Sequence, residues 1–393
     1  MGKLLIVSLD ALSSREWEAM AARYPNAAAF ARGASASLDA RSVFPTNTYP
    51  VHCSVATGRP PREHGVTSNT EPFPSRRSRW ITSASAIRAK TLWQAAREAG
   101  LTSAAALWPC TAGSPDIRWN IPEIHVQPGE NQIITNLRSG SFLLQLRMVL
   151  RYGKLLDGAR QPALDNFVAA CAVDVLRRKR PDLTLVHLTC YDTLRHHNPY
   201  GSPALETAYA SLDGHLGRLL DAAGKDTTAI VFSDHAQLDV HTVLTPNDIL
   251  VEMGLIGVGA DGYEPGGHRC FIECCGGCAF FHAGGLPGDG TARVREAAAA
   301  SEGFGRFLTD EEMDVSGRAG LAFGFSAKRG YCYNSIKADE KGNHGYPLDM
   351  PDYNVFYAVR GKGFTPGARR GGSLLDIAPI AAGILGLGMD NLD

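Results

Sequence analysis

The chain has 393 residues, 44% apolar and 20% charged, an ordinary soluble composition with room for one large α/β domain with insertions or for two domains. Lys and Arg total 39 against 40 Asp and Glu, a net charge of −1 that leaves no field to attract nucleic acid or an anionic membrane. Nine cysteines, an odd number in a long chain, argue against a disulfide framework.

Leu4–Leu9 is a continuous apolar run that predicts a buried parallel strand ending at Asp10. It is too short and too β-branched for a signal peptide, so the chain reads as soluble and cytoplasmic. Ser13-x-x-Glu16 predicts a capped helix through Ala22, and Pro25-Asn26 a second through Arg32 closed by Gly33. A strand near Ser35–Val43 then delivers Pro45-Thr46-Asn47-Thr48-Tyr49-Pro50, and the run Cys53–Thr57 after it is of the kind that opens a helix. Thr46 and Thr48 thus stand at a helix N-terminus, where unpaired N–H groups favour an anion. Thr-x-Thr at such a place serves equally as an N-cap.

Lys90–Glu98 reads as a helix ended by Gly100, and Thr102–Trp108 as a strand. This alternation predicts a doubly wound, mostly parallel sheet flanked by helices. From about 109 to 161 the pattern loosens around Trp119 and a basic apolar stretch, Leu143–Leu156, as in an insertion beside the sheet's edge. Asn166–Lys179 and Leu205–Ala223 predict helices. Leu183–Thr189 and Thr228–Phe232 predict strands that reach Asp192 and Asp234-His235. A glycine-dense segment from about 240 to 340 reads as an inserted, smaller α+β cap subdomain within a single domain spanning 1–393. Asn354–Val359 returns to the sheet, and Ser373–Leu387 predicts a helix that Asp376 and Pro379 keep short of a membrane span. Cys270, Cys274, Cys275 and Cys278 lack the paired spacing of a zinc ribbon. They read as small buried hydrophobes on two β runs about Gly276-Gly277, with a metal or redox role as the lesser alternative.

The chemistry lies where strands end. Asp10, Asp192 and Asp234-His235 follow buried-looking strands, and in open α/β sheets ligands bind at those carboxyl ends. One such acid is readily a helix cap; three at once, with His196 four residues after Asp192 and His344 in a Gly-Asn-His-Gly turn, suggest a site. Asp, His and hydroxyl oxygen suit Zn²⁺. Asp192, His196 and His344 would make one ion site, and Asp10, Asp234, His235 and Thr48 a second. Two ions about 3.5–4 Å apart can assist an in-line displacement, and coordination would activate the otherwise weak threonine nucleophile.

These residues stand in a recognisable order. After Asp10 come Pro45-Thr46-Asn47-Thr48-Tyr49-Pro50 and the run from Thr57-Gly58 through His64-Gly65 to Asn69. Asp192-x-x-x-His196, Ser233-Asp234-His235 and Gly342-Asn343-His344-Gly345 follow. Together they resemble the alkaline phosphatase superfamily, and within it the nucleotide pyrophosphatase/phosphodiesterase (type I phosphodiesterase) family, over most of the chain. The resemblance implies an alkaline-phosphatase-like fold and a metal-dependent hydrolase of phosphodiester or phosphoanhydride bonds. It further implies two zinc ions, Thr48 as nucleophile and a covalent phosphothreonine intermediate. Asn69 would bind a phosphoryl oxygen, and Tyr49 and Tyr200 would lie near a base or aryl pocket. The expected partner is a small phosphodiester, nucleotide or phosphonate, with neither nucleic acid polymer nor membrane.

Val51, Asn47 and Ala236 depart from the family's usual residues without removing a ligand or the nucleophile. Phosphonoacetate hydrolase and phosphomonoesterase are the alternatives within the superfamily. A non-catalytic zinc and phosphate- or nucleotide-binding protein is the alternative outside it. His52 and His64 read as structural hydrogen-bonding residues near the site, and His125, His187, His215, His241, His268 and His282 as ordinary histidines.

Overall fold

The first strand, Lys3–Leu9, is buried from Leu4 onward. Leu5, Val7 and Leu9 enter one apolar core and Leu4 and Ile6 another, so the strand is covered on both faces. The computed structural model describes residues 2–72, 79–126, 129–260, 262–264, 266–267, 269–318, 320–369 and 371–388. It sets this strand at the centre of a seven-stranded sheet. The order across the sheet is Ser35–Ala40, Val355–Arg360, Thr227–Phe232, Lys3–Leu9, Leu183–Leu188, Ser103–Ala106 and Trp119–Ile121. All pairings are parallel except those of Val355–Arg360, which runs against both neighbours.

Helices cover both faces. Trp17 and Met20 of Ser14–Arg23, Phe30 of Pro25–Arg32, Val168 of Ala163–Lys179 and Leu212 of Pro203–Ala223 fill one core. Val51 and Val55 of Thr48–Thr57, Trp93 of Leu92–Glu98 and Ile377 of Ile377–Leu385 fill the other. The helix Ser14–Arg23 starts with the capping box predicted from Ser13 and Glu16. The fold is therefore the expected α/β architecture, with a mostly parallel sheet between helical layers.

Three local readings need correction. Trp119–Ile121, read as insertion, pairs parallel with Ser103–Ala106 and is the edge strand of the main sheet. Leu144 and Met148 in the helix Phe142–Tyr152 also join the core. Asp192 does not end a strand but lies in the first turn of the helix Cys190–His197, because the chain turns helical immediately after Leu188. The C-terminal helix is shorter than read: Ser373 and Asp376 cap a 3₁₀ turn, Leu374–Asp376, before Ile377–Leu385.

Between residues 240 and 340 the strands Phe271–Cys274, Cys278–His282, Leu321–Ala327 and Phe304–Phe307 form an antiparallel sheet in that order. A second sheet joins Gly330–Tyr333, Leu238–Leu244 and Gly342–Asn343. All nine cysteines are free, and Cys274 and Cys278 lie on the two strands of the predicted hairpin. Among the described residues no helix is long and apolar enough to cross a membrane.

Asp165 ties the fold to the site. Its carboxylate is fully buried and accepts from Thr189 N at 3.1 Å and Cys190 N at 3.0 Å, where the helix bearing Asp192 begins. Asp165→Ala would leave these buried N–H groups without partners and is expected to cost about 1–3 kcal/mol of stability, read from the midpoint of urea denaturation.

Candidate metal centre and nucleophile

Register brings the acids together. Leu9 pairs with Leu188 and Ser8 with Phe232, so Asp10, Thr189 and Ser233-Asp234 leave the sheet at one edge. The helix Cys190–His197 then places Asp192 and His196 four residues apart on one face, with Asp192 Oδ1 3.5 Å from His196 Nε2.

His344 arrives from far along the chain. Just beyond His235 begins the strand Leu238–Leu244, whose first residues pair with Gly342–Asn343, Asp239 against Gly342 and Leu238 against Asn343. The His235 and His344 rings consequently stack with centroids 4.0 Å apart. Lys341 N donates to His196 O at 2.7 Å, which locks the same strand to the helix carrying His196. Two groups result, Asp192/His196/His344 and Asp10/Asp234/His235, and in each the potential ligand atoms lie within 4.8 Å of one another. The structure thus brings together the carboxylates and imidazoles of both sets expected from the sequence, with Thr48 of the second set still to be placed.

Thr48 is the first residue of the buried helix Thr48–Thr57, and its Oγ1 lies 3.3 Å from His235 Nε2. The N-cap is Asn47, whose side chain makes no capping bond, so neither threonine spends its hydroxyl as an N-cap. Thr46 Oγ1 donates to Tyr346 O at 2.9 Å, while Thr46 O lies 3.2 Å from His344 Nδ1. That contact orients the His344 ring and leaves Nε2 for a ligand. Asn69 Oδ1 accepts from Tyr49 N at 2.9 Å, at the same helix end.

The electrostatics fit a cation. Burial, then the charges of Asp234 and Asp192, push the Asp10 carboxyl well above its ordinary range. Burial likewise raises Asp234. Asp10 Oδ1 and Asp234 Oδ2 are buried without a hydrogen-bond partner, although they face His235 Nε2 at 3.5 and 3.2 Å. Burial, followed by the neighbouring His196, lowers His235 to about 3, and burial, then His235, lowers His344 well below the imidazole range. Neutral imidazoles beside converging carboxylates are the form in which these groups bind metal. Buried oxygens that lack partners are the ones a cation would satisfy. The Asp10/Asp234/His235 group therefore fits a divalent ion, and Asp192, His196 and His344 bring a second set of potential ligand atoms beside it.

The sequence did not single out the groups behind these ligands. His187 Nε2 lies 3.0 Å from Asp10 Oδ2, while its Nδ1 lies 3.1 Å from Leu107 O and 3.3 Å from Glu123 Oε2. Burial opposes a charge on His187, but its hydrogen bond to Asp10 and the nearby Glu123 carboxylate prevail and hold its pKa well above the usual value. Gln237 Nε2 donates to Asp192 Oδ1 at 2.5 Å, and Glu340 Oε2 lies 3.8 Å from His196 Nδ1. Burial lowers His196, yet Asp192 and Glu340 outweigh it and raise it to about 9. His52 bridges Ser8 Oγ at 2.9 Å and Thr48 O at 2.8 Å, and His64 Nε2 meets Ser54 Oγ at 2.9 Å. Both hold the Thr48 helix, as the structural reading anticipated. His268 lies outside the described residues.

The two tyrosines fare differently from one another. Tyr49 is wholly buried among Cys53, Val66 and Cys110, so its ring offers no free face to a ligand. Beside it Trp80 stacks on His125 at 3.8 Å, and both of these are partly exposed. Tyr200 is 40% exposed; the Arg15 guanidinium lies over its ring at 4.9 Å, and its backbone N–H donates to Asp239 Oδ1 at 2.8 Å.

The relay behind Asp10 is open to test. Glu123→Gln is expected to weaken retention of a divalent cation by roughly tenfold to a hundredfold in competition with a chelator. Undiminished retention would show that Glu123 does not support the ligand set.

The geometry has counterparts in known proteins. The family model described as type I phosphodiesterase/nucleotide pyrophosphatase matches residues 4–304, a span that ends before His344. No curated protein sequence matches the chain significantly. Among solved structures, murine ectonucleotide pyrophosphatase/phosphodiesterase 5, an inactive threonine-to-alanine variant in complex with AMP, is 17% identical with a TM-score of 0.70. That alignment covers 99% of this chain and 96% of the murine one. The human counterpart is 18% identical with a TM-score of 0.69, covering 98% and 95% of the two chains. The sequence, over more than half its length, and the shared fold lead to one assignment: the chain belongs to the type I phosphodiesterase/nucleotide pyrophosphatase family of the alkaline phosphatase superfamily.

Proposed function

We propose that this protein hydrolyses phosphodiester or phosphoanhydride bonds of small molecules, nucleotides among them, through a covalent phosphothreonine on Thr48 with two zinc ions. The observation that supports this most is the position of the Thr48 hydroxyl, at a buried helix N-terminus and 3.3 Å from His235 within the double ligand set. Asp192, His196 and His344 would hold one ion, and Asp10, Asp234 and His235 together with Thr48 the other. When bound there, the ions supply the positive charge that activates a hydroxyl and stabilises attacking and leaving oxygens.

The residues of the chain account for the rest. Thr48 Oγ1 forms the bond to phosphorus as the ester or anhydride oxygen opposite departs, and water then cleaves the Thr48 ester and restores the hydroxyl. Within the helix's first turn, Tyr49 N is taken by Asn69 and Val51 N by Asn47 O, while Pro50 has no N–H. The Thr48 N–H is the donor these bonds do not use, and with the Asn69 amide NH₂ it would face the phosphoryl oxygens. Trp80 and His125, stacked and partly exposed, give a flat surface for a base or aryl group in place of the buried Tyr49. The AMP held by the murine relative and the inactivity of its threonine variant agree with this reading.

Bis(4-nitrophenyl) phosphate and a dinucleotide are expected to be hydrolysed faster than 4-nitrophenyl phosphate or phosphonoacetate. Thr48→Ala should lower the diester rate by at least roughly a thousandfold while zinc, measured by atomic absorption, stays bound. Undiminished turnover in that variant with zinc in place would refute the nucleophile. Faster phosphonoacetate cleavage would move the substrate assignment to the alternative superfamily branch.

A further inference from the structure

Of the nine large hydrophobic side chains exposed among the described residues, seven fall between Ile133 and Leu150. They belong to two consecutive helices, Gln132–Ser139 and Phe142–Tyr152. Leu143 is 78% exposed, Leu150 80% and Ile133 64%. At 3.6 residues per turn, Phe142, Leu143, Leu146, Val149 and Leu150 fill an arc of about 120°. Leu144, Gln145 and Met148 on the opposite side are buried. The helix is therefore apolar on two faces, and the protein's core accounts for one.

The charge beside the second face is one-sided. Residues 131–156 contain Arg138, Arg147, Arg151 and Lys154 and no acid. Arg147 and Arg151 lie within 3.7 Å of Asp174, but Arg178 shares that carboxylate, so three cations meet one anion. On the helical wheel Arg147 borders one side of the apolar arc, with Arg151 about 40° further round, and a long side chain at such a border can lie along apolar surface and keep its charge in water. The chain-wide charge of −1, which led the sequence reading to exclude an anionic membrane, averages over this cationic segment.

We propose that the helical pair Gln132–Tyr152 is an interfacial anchor that lays its apolar face into an anionic lipid surface. An exposed apolar stripe bordered by Arg and Lys is the pattern of helices that lie in the plane of a membrane interface. Anionic headgroups complement the cations, and acyl chains take up Leu143, Leu146 and Leu150. A second copy of the chain fits less well, because a self-complementary contact here would set like charges against one another.

The test is flotation of the full-length protein with phosphatidylcholine vesicles, with and without about one third phosphatidylglycerol. Binding is expected to the anionic vesicles, to weaken as salt is raised, and to fall roughly tenfold or more in Leu143→Ser/Leu150→Ser. Because both leucines lie in solvent and outside the active centre, that variant should keep its Tm and its rate on a soluble aryl diester. Arg138→Glu/Lys154→Glu should weaken binding to anionic vesicles in the same way. Absence of vesicle binding by the wild type would overturn the proposal, as would undiminished binding by the leucine variant. So would a dimer in sedimentation equilibrium that the leucine variant abolishes, since a second copy would then cover this face.

Discussion

The governing constraint is the concentration of three carboxylates, Asp10, Asp192 and Asp234, in a region where burial opposes charge. Asp10 and Asp234 are both driven above their normal range, largely by loss of water and partly by repulsion from their neighbours. Desolvated like charges at short range are unfavourable unless positive charge lies between or beside them. The chain supplies some of this compensation itself, through His187 against Asp10 and the Ala11 N–H, which donates to Asp234 Oδ1 at 3.2 Å. The oxygens that face His235 Nε2, Asp10 Oδ1 and Asp234 Oδ2, are left without hydrogen bonds. A cation held by Asp10, Asp234 and His235, as in the proposed function, would answer this remaining need.

Much of the fold was legible because buried parallel strands are written as continuous apolar runs. The strands expected on that ground at Leu4–Leu9, Leu183–Thr189 and Thr228–Phe232 are present to within a residue at either end, and caps at Ser13, Glu16 and Pro25 marked helix starts. Trp119–Ile121 did not, because three residues are too few to display a period, and its partner Ser103–Ala106 is an alanine-rich strand. Asp192 was legible as a candidate ligand but misplaced on a strand end, since Thr189-Cys190-Tyr191 continues an apolar, β-prone pattern. The buried Asp165 carboxylate, 24 residues upstream of Thr189, starts the helix there by a contact no local rule contains.

The site divides along the same line. Groups that follow strands or sit in short glycine turns announced themselves: Asp10, Asp234, His235 and His344. Groups that support them did not. His187 lies within a strand buried on both faces, where a polar residue has no alternation to violate, and Glu123 comes from the loosely patterned segment after the edge strand. The glycine-rich cap had a function its composition did not reveal. Gly277 N donates to His344 O at 2.7 Å, and a side chain on Gly277 would meet Tyr346 at 2.2 Å. Gly345 has φ +84°, and a Cβ there would lie 1.7 Å from Cys275 O. The small residues around Gly276-Gly277 are what let the cap hairpin close upon the turn that holds His344.

The segment from Trp119 to Tyr152 joins the buried centre to the surface. Its first three residues are hydrogen-bonded to the main sheet, so Glu123, two residues beyond, is held at a fixed distance from His187. Gln132 Nε2 donates to Ile124 O at 3.0 Å and ties the first exposed helix to the backbone next to Glu123. Gln145 Nε2 donates to Asn136 O at 2.7 Å and ties the second helix to the first. Leu144 and Met148 then pin the second helix to the core. A force applied at Leu143 or Leu150 therefore acts on a body anchored at both its sheet edge and its core face. An interface met by these helices would orient the whole α/β body while leaving the Asp10–His187–Glu123 geometry unchanged, so attachment and chemistry can be separated by mutation.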